Sequence, residues 1–389
     1  MKKIYLDYAA TTPVDDEVLK EMLPLFTDKY GNPSSIHEYG VDASDIVEKA
    51  REKIAKLINA KDDEIIFTSG GTESDNLAIK GVVYKNKDRK NTKGNQIITC
   101  CIEHPAVLET CKYLDKNGYN VKFLPVDKYG IVDLDELEKA ITSETQIVSI
   151  MFANNEIGTI EPIEQIGKIT RENDVLLHTD AVQAIGKVPI DVIKQKIDLL
   201  SISSHKIYGP KGVGALYIKN GIKLEPLSHG GGHEKGLRSS TLNAPGIAGL
   251  GKACELASKR FSNDVKHMEK LRDKLIKQVL EIEESYLNGH PKKRLVNNAH
   301  FRFTAIEGES LNLMLDEKGI ATATGSACSS KKLQASHVLT SIGLKPEEAH
   351  GSIRMSLGRK TTEEEINYVI DELPKIVEKL RYMSPLWNR

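Results

Sequence analysis

The chain has 389 residues, with 54 Lys+Arg against 55 Asp+Glu, 40% hydrophobic and 28% charged. That length exceeds what one hydrophobic core usually fills, so two domains are expected. The near-zero net charge gives nucleic acid or a membrane surface no electrostatic hold as main partner, and no apolar run approaches the ~18 residues that would span a bilayer.

In chain order, Met1-Lys2-Lys3 leads into an apolar stretch that Asp7 cuts at once, which argues against a secretory signal. From about residue 64 to 218, short apolar strands alternate with amphipathic helices. Strands are predicted at 65–68, 97–100, 121–126, 147–152, 175–178, 199–203 and 214–218, and helices at 72–84, 105–117, 134–141 and 163–172. This rhythm predicts an α/β fold with a mostly parallel central sheet flanked by helices, whose ligands bind at the carboxyl ends of the strands. After Gly230-Gly231-Gly232 the pattern changes to a long helical stretch over 246–287, short strands at 299–303 and 352–356, and a final helix over 362–381, which reads as a smaller α+β domain. The division is placed at 16–259 for the large domain, with 1–15 and 260–389 forming the small one.

The five cysteines, Cys100, Cys101, Cys111, Cys254 and Cys328, are too sparse and odd in number for a disulfide framework. Free thiols in a reducing compartment, hence a cytoplasmic protein, are expected. Cys101 and His104 have C-x-x-H spacing, but no second ligand pair follows and no metal site is assigned.

Several positions carry chemistry. Ser69-Gly70-Gly71-Thr72-Glu73-Ser74 joins a strand to a helix, where close backbone approach and exposed N–H groups suit a phosphate; the same residues also suit a tight turn with Thr72 as N-cap. Asp180 closes a strand, where a carboxylate could hold a pyridinium nitrogen protonated or merely cap the next segment. Ser203-Ser204-His205-Lys206 closes another, and a lysine at a buried sheet edge can form a Schiff base; Lys211, in a Gly-rich loop, is the competing amine. His104 opens a helix and could stack on an aromatic cofactor or move protons. Cys328, among the small residues of Thr324-Gly325-Ser326-Ala327-Cys328-Ser329-Ser330, reads either as an accessible nucleophile or as a small buried hydrophobe. Arg354, in a short apolar strand, needs an anion, either a substrate carboxylate or a structural partner. Together these are the parts of a pyridoxal-phosphate site.

With those parts in place, the chain resembles the cysteine desulfurases of the nitrogen-fixation and iron–sulfur housekeeping group, in the class V branch of the fold-type I pyridoxal-phosphate enzymes. The resemblance rests on Tyr5-Leu6-Asp7-Tyr8-Ala9-Ala10-Thr11-Thr12-Pro13, Gly31-Asn32-Pro33-Ser34-Ser35, Gly71-Thr72-Glu73-Ser74, Glu103-His104, Asn154-Asn155-Glu156, His178-Thr179-Asp180-Ala181-Val182-Gln183, Ser203 to Lys206, Gly325 to Cys328 and Ser352 to Gly358. It implies that Lys206 bears pyridoxal 5'-phosphate; that Gly71, Thr72, Ser203 and His205 hold its phosphate; that Asp180 meets the ring nitrogen and Gln183 the ring hydroxyl; and that His104 stacks on the ring. It also implies that Asn155 lies near the ring hydroxyl and the substrate carboxylate, that Arg354 clamps that carboxylate, and that Thr241 reaches the neighbouring subunit's phosphate in a homodimer.

The activity implied is conversion of L-cysteine to L-alanine, with sulfur held as a persulfide on Cys328. An acceptor protein, either an iron–sulfur scaffold or a thiolation enzyme, would then receive it, with any iron–sulfur contact transient and through Cys328. Selenocysteine lysis, class V transamination and a non-catalytic binding protein of the same fold are the rival readings. Ser240 stands where family members carry glycine; if that position is left-handed, Ser240 is strained or shifts its loop.

Overall fold

The computed structural model describes residues 3–86, 94–324 and 335–387. A short amino-terminal strand β1 (Ile4–Tyr5) precedes a seven-stranded sheet built from β2 (Ile65–Thr68), β3 (Gln96–Cys100), β4 (Asn120–Leu124), β5 (Thr145–Ser149), β6 (Leu176–Asp180), β7 (Leu199–Ser203) and β8 (Gly214–Ile218). Their spatial order is β2-β8-β7-β6-β5-β3-β4. β8 runs antiparallel to both neighbours, and every other pairing is parallel. Helices Pro105–Lys116, Leu134–Ala140 and Ile163–Glu172 make the crossovers from β3 through to β6.

Period-two alternation explains why these strands read as unbroken apolar runs. Ile65, Phe67, Ile98, Val148, Leu200 and Ile202 face one core; Ile66, Ile97, Ile147, Leu199 and Leu216 face another on the opposite side of the sheet. Only the edge strand β4 alternates exposed and part-buried positions, with Lys122 outward. Helix Gly71–Asn86 covers the second face, while Glu38–Ile58 and the first half of the helix Ala244–Val279 cover the first. Where those two helices cross, a Cβ on Gly251 would sit 2.6 Å from Ala50, so hydrogen is the only side chain that fits.

A third core lies apart. β9 (Ser285–Leu287), β10 (Asn298–Phe303) and β12 (Ser352–Ser356) form an antiparallel sheet ordered β12-β10-β9, and β1 pairs in parallel with β11 (Ile320–Ala321). Phe301, Phe303, Ile353 and Met355 pack there against Leu271 and Leu275 from the far half of the helix Ala244–Val279 and against the last helix, Glu363–Met383. Residues 6–8 lie along the end of β12: Ser356 N donates to Leu6 O and Tyr8 N donates to Ser356 O. This threading carries Ala9 and Ala10 to the carboxyl edge of the large sheet.

Three departures from the sequence reading are physical. The long helix stops at Val279, not 287, because Ser285 Oγ donates to the carbonyls of Val279 and Ile282 and Glu284 adopts φ 48°, turning the chain into β9. The 21-residue helix Glu38–Ile58 was not among the predicted elements, although Ala43, Val47, Ala50, Ile54 and Ile58 keep helical spacing along its buried face. Ser240 does not take a left-handed conformation; positive φ falls instead on Glu234 and Lys235 in the same loop, where Arg51 and Phe67 N bind the Glu234 carboxylate.

Candidate active site

The carboxyl ends of β2, β6 and β7 open together, and a cavity of about 380 Å³ lies there. Its wall contains Gly71, Thr72, His104, Asn155, Asp180, Gln183, Ser203, His205, Lys206 and Arg354, ten of the twelve residues singled out from sequence. Thr241 is exposed and does not line it. Cys328 and the segment around it, 325–334, lie outside the described residues.

One end of the cavity suits an anion. Gly71 opens the helix Gly71–Asn86, so its first N–H groups have no helical acceptor, and Thr72 lies inside the helix rather than capping it. A Cβ on Gly71 would come within 2.8 Å of Val182 Cγ2, which ties the close approach to glycine. His205 donates or accepts with Thr11 Oγ1 at 3.0 Å, and its pKa is pushed down to about 4 by burial and then by the charges of Lys206, Lys211 and Lys187. The lysine charges that depress His205, beside a helix start, make this end of the cavity suited to a phosphate.

Lys206 sits in a single 3-10 turn after β7, and its Nζ donates to Ala9 O and Ala10 O, each at 2.7 Å. Gln183 Nε2 donates to Ala9 O as well, at 3.0 Å, so the amino-terminal segment and the sheet edge are laced together. Lys211 is exposed, as expected of a loop lysine. A second lysine, Lys187, is buried behind the turn and donates to the carbonyls of Gln183 and Lys206; burial and the Lys206 charge bring its pKa down to about 7.

Asp180 makes the capping bond that was one of its two sequence readings, its Oδ1 accepting from Val182 N at 2.9 Å, and it also faces the cavity. Burial raises its pKa, while His104 and Lys206 pull it down. Behind it, Asp75 is fully buried with Oδ1 lacking a hydrogen bond, and burial and the Asp180 charge push its pKa well above the usual carboxylate range. His178 stays neutral between Ser149 and Ser201, held down to about 3 by burial. Asp75 was missed from sequence because one acidic residue in a helix that follows a Gly-rich turn gives no periodic signal.

His104 is the N-cap of the helix Pro105–Lys116, and its Nδ1 accepts from Ala106 N at 3.1 Å. That bond places the proton of the neutral ring on Nε2, and burial lowers the pKa, favouring the neutral form. His104→Ala removes the cap and is expected to lower stability by about 1 kcal/mol, whereas His104→Asn keeps an acceptor at the cap. Thermal melts of the two variants beside wild type check this, and equal Tm losses would show that the cap contributes nothing.

Arg354 has the structural partner that was the bland alternative: Nη2 pairs with Asp7 Oδ1 at 2.8 Å and Nη1 donates to Asn155 O at 2.9 Å. Its Nε is buried without any partner. A guanidinium in a cavity wall with a spare donor is suited to an incoming carboxylate. Glu156 and His337, which sequence reasoning did not assign, complete this side: Ser336 Oγ donates to Glu156 Oε2 at 2.5 Å, and His337 Nε2 bonds Glu103 O at 3.0 Å.

The family model for class-V aminotransferases matches residues 4–369. The chain belongs to the class-V aminotransferase family. Within it, the chain is 55% identical over 385 residues to the cysteine desulfurase IscS of Methanosarcina thermophila, covering 99% of this chain and 94% of that one. It is also 55% identical over 391 residues to the enzyme of the same name from Clostridium botulinum, covering 100% and 97%. Among solved structures, a NifS-like protein superposes with a TM-score of 0.90 at 43% identity, covering 97% of this chain and all of the other. SspA in complex with cysteine superposes at 0.81 with 37% identity, covering 92% of this chain. The resemblance read from the motifs and the α/β class of the fold both hold. No helix among the described residues is long and apolar enough to cross a membrane.

Proposed function

We propose that the protein is a cysteine desulfurase that converts L-cysteine to L-alanine and holds the sulfur as a persulfide on Cys328. The observation that carries this reading is one cavity that joins an amine (Lys206), a buried carboxylate (Asp180), a neutral imidazole (His104) and a guanidinium with a spare donor (Arg354). Its relatives over nearly the whole chain are named for that activity.

The residues fit pyridoxal phosphate. Gly71, Thr72, Ser203 and His205 would hold the phosphate, Asp180 the ring nitrogen, Gln183 the ring hydroxyl, and His104 a ring face, with Lys206 as the covalent tether. When bound, the cofactor supplies an electron sink for bonds broken at the substrate's α-carbon. Arg354 and Asn155 orient the substrate carboxylate. Lys206 Nζ takes the α-proton and returns it, and His104, neutral with its proton on Nε2, is placed to exchange a proton with the substrate amine or thiol. The Cys328 thiolate attacks the substrate sulfur: a sulfur–sulfur bond forms and the Cβ–S bond breaks. The electron pair stays with carbon, which a proton converts to the methyl of alanine. The persulfide then passes to a sulfur-acceptor protein. The working unit is a homodimer in which Thr241 reaches the neighbouring cofactor's phosphate; its exposure outside the cavity agrees with that role.

Holoprotein incubated with L-cysteine and no reductant tests the reading by peptide mapping and alanine detection. One added sulfur on Cys328 with alanine formed is expected, and Cys328→Ala is expected to keep the cofactor and lose the added sulfur. Alanine formed from cysteine at the wild-type rate by Cys328→Ala would overturn the assignment.

A further inference from the structure

Glu156 follows Asn155 on the cavity wall and is held rigidly. Its N donates to Asn154 Oδ1 at 2.9 Å, its O accepts from Asn298 Nδ2 at 2.9 Å, and its Oε2 accepts from Ser336 Oγ, the cap of the helix His337–Ser341. Only 6% of the residue is exposed. Among the described residues, the cation acting on it is Arg354, which already pairs with Asp7. A carboxylate arriving on Arg354 therefore makes a third acidic group around a single guanidinium in a largely water-excluded wall. Like charges that close in low dielectric do not all stay ionised.

We propose that Glu156 is a positioning residue of the carboxylate subsite, taking up one proton when a substrate carboxylate docks on Arg354. This rests on the reading of Arg354 as the carboxylate receiver. Burial has already raised the Glu156 pKa to about 7, with Ser336 and Arg354 pulling the other way, so the proton is available near neutrality. The other groups facing it are poorly placed to supply that titration. His300, on β10 opposite Arg354, is pushed down to about 3; His104 and His337 are lowered by burial; Glu103 is raised well above the carboxylate range. Oε2 still accepts from Ser336 when the carboxyl is neutral, so the cap survives proton uptake.

The sign follows by linkage. Below about pH 7 Glu156 is already neutral and docking needs no proton; above it, each docking event must take one up, and affinity falls by up to tenfold per pH unit. The probe is 3-mercaptopropionate, which has the thiol and carboxylate of cysteine and no amine. Its Kd for the holoprotein is measured from pH ~5.5 to ~7.5, below the ordinary thiol pKa of about 8.5. Wild type is expected to weaken toward the top of that range, and Glu156→Gln to match wild type at the bottom and stay flat. Parallel slopes in wild type and Glu156→Gln would overturn the proposal while leaving Arg354 in its role. Arg354→Gln that binds the probe like wild type would instead remove the reading on which the proposal rests. As a measurement that needs no variant, calorimetry of wild type at pH ~7.5 in buffers of different ionisation enthalpy should show net proton uptake, and none would also overturn it.

Discussion

Lys206→Ala is expected to yield a protein to which borohydride no longer fixes the cofactor and whose turnover of cysteine falls by ~10²–10⁴-fold or more. The argument is geometric. Lys206 Nζ is held at 2.7 Å from two backbone carbonyls, in a cavity wall that also contains Asp180 and His104. Of the two other lysines near the turn, Lys211 is exposed and Lys187 is committed to the carbonyls of Gln183 and Lys206. Neither lines the cavity. Electrostatics should respond as well. Lys206 depresses the pKa of both His205 and Lys187, so removing its charge is expected to let both rise. Borohydride reduction followed by peptide mapping decides the matter: cofactor still fixed to the chain in Lys206→Ala, at Lys187 or Lys211, would move the tether elsewhere.

How much of this was legible in the sequence depends on the range over which each signal acts. Strands such as β7 and β8 were read at their full extent because burial on both faces makes them continuously apolar, a purely local property. Asp180, Ser203 and Lys206 were legible for a related reason: a polar residue that ends an apolar strand stands at the sheet's carboxyl edge wherever the strand pairs. What was not legible depends on pairings hundreds of residues apart. The partner of Arg354 is Asp7, and the acceptors of Lys206 are the carbonyls of Ala9 and Ala10, because residues 6–8 run alongside β12. Asp75, Glu156 and His337 are ordinary polar residues in sequence. Only the closure of the cavity gives Asp75 an unpartnered oxygen and Glu156 a raised pKa. The N-cap reading of Thr72 failed because its helix begins one residue earlier than the apolar pattern indicated.

Asp180→Asn is expected to keep the protein folded and able to take up pyridoxal phosphate while lowering the rate of alanine formation by about 10²–10³-fold, the range typical of removing one preorganised electrostatic contact. The amide oxygen can still accept from Val182 N, so the turn after β6 survives; what disappears is the charge. Asp180 and Asp75 are both buried, burial raises both, and the Asp180 charge further disfavours a charge on Asp75. Asp180 is the one that His104 and Lys206 stabilise as an anion, so Asp180 carries the charge and Asp75 the proton. On the proposed reading, in which Asp180 would meet the ring nitrogen, an asparagine there would leave that nitrogen unprotonated and the ring a weaker electron acceptor. The substitution also has a signature beyond rate. Asp180 raises the pKa of His104, so its loss should lower that pKa further and keep the ring neutral to a more acidic pH. A pH profile of kcat whose acidic limb moves down in Asp180→Asn, together with the fall in rate, is the expected pair of results. An unchanged kcat on a cofactor-loaded variant would mean that the charge serving the ring comes from another residue, and Asp75, the carboxyl whose titration is tied to that of Asp180, would then be the one to replace.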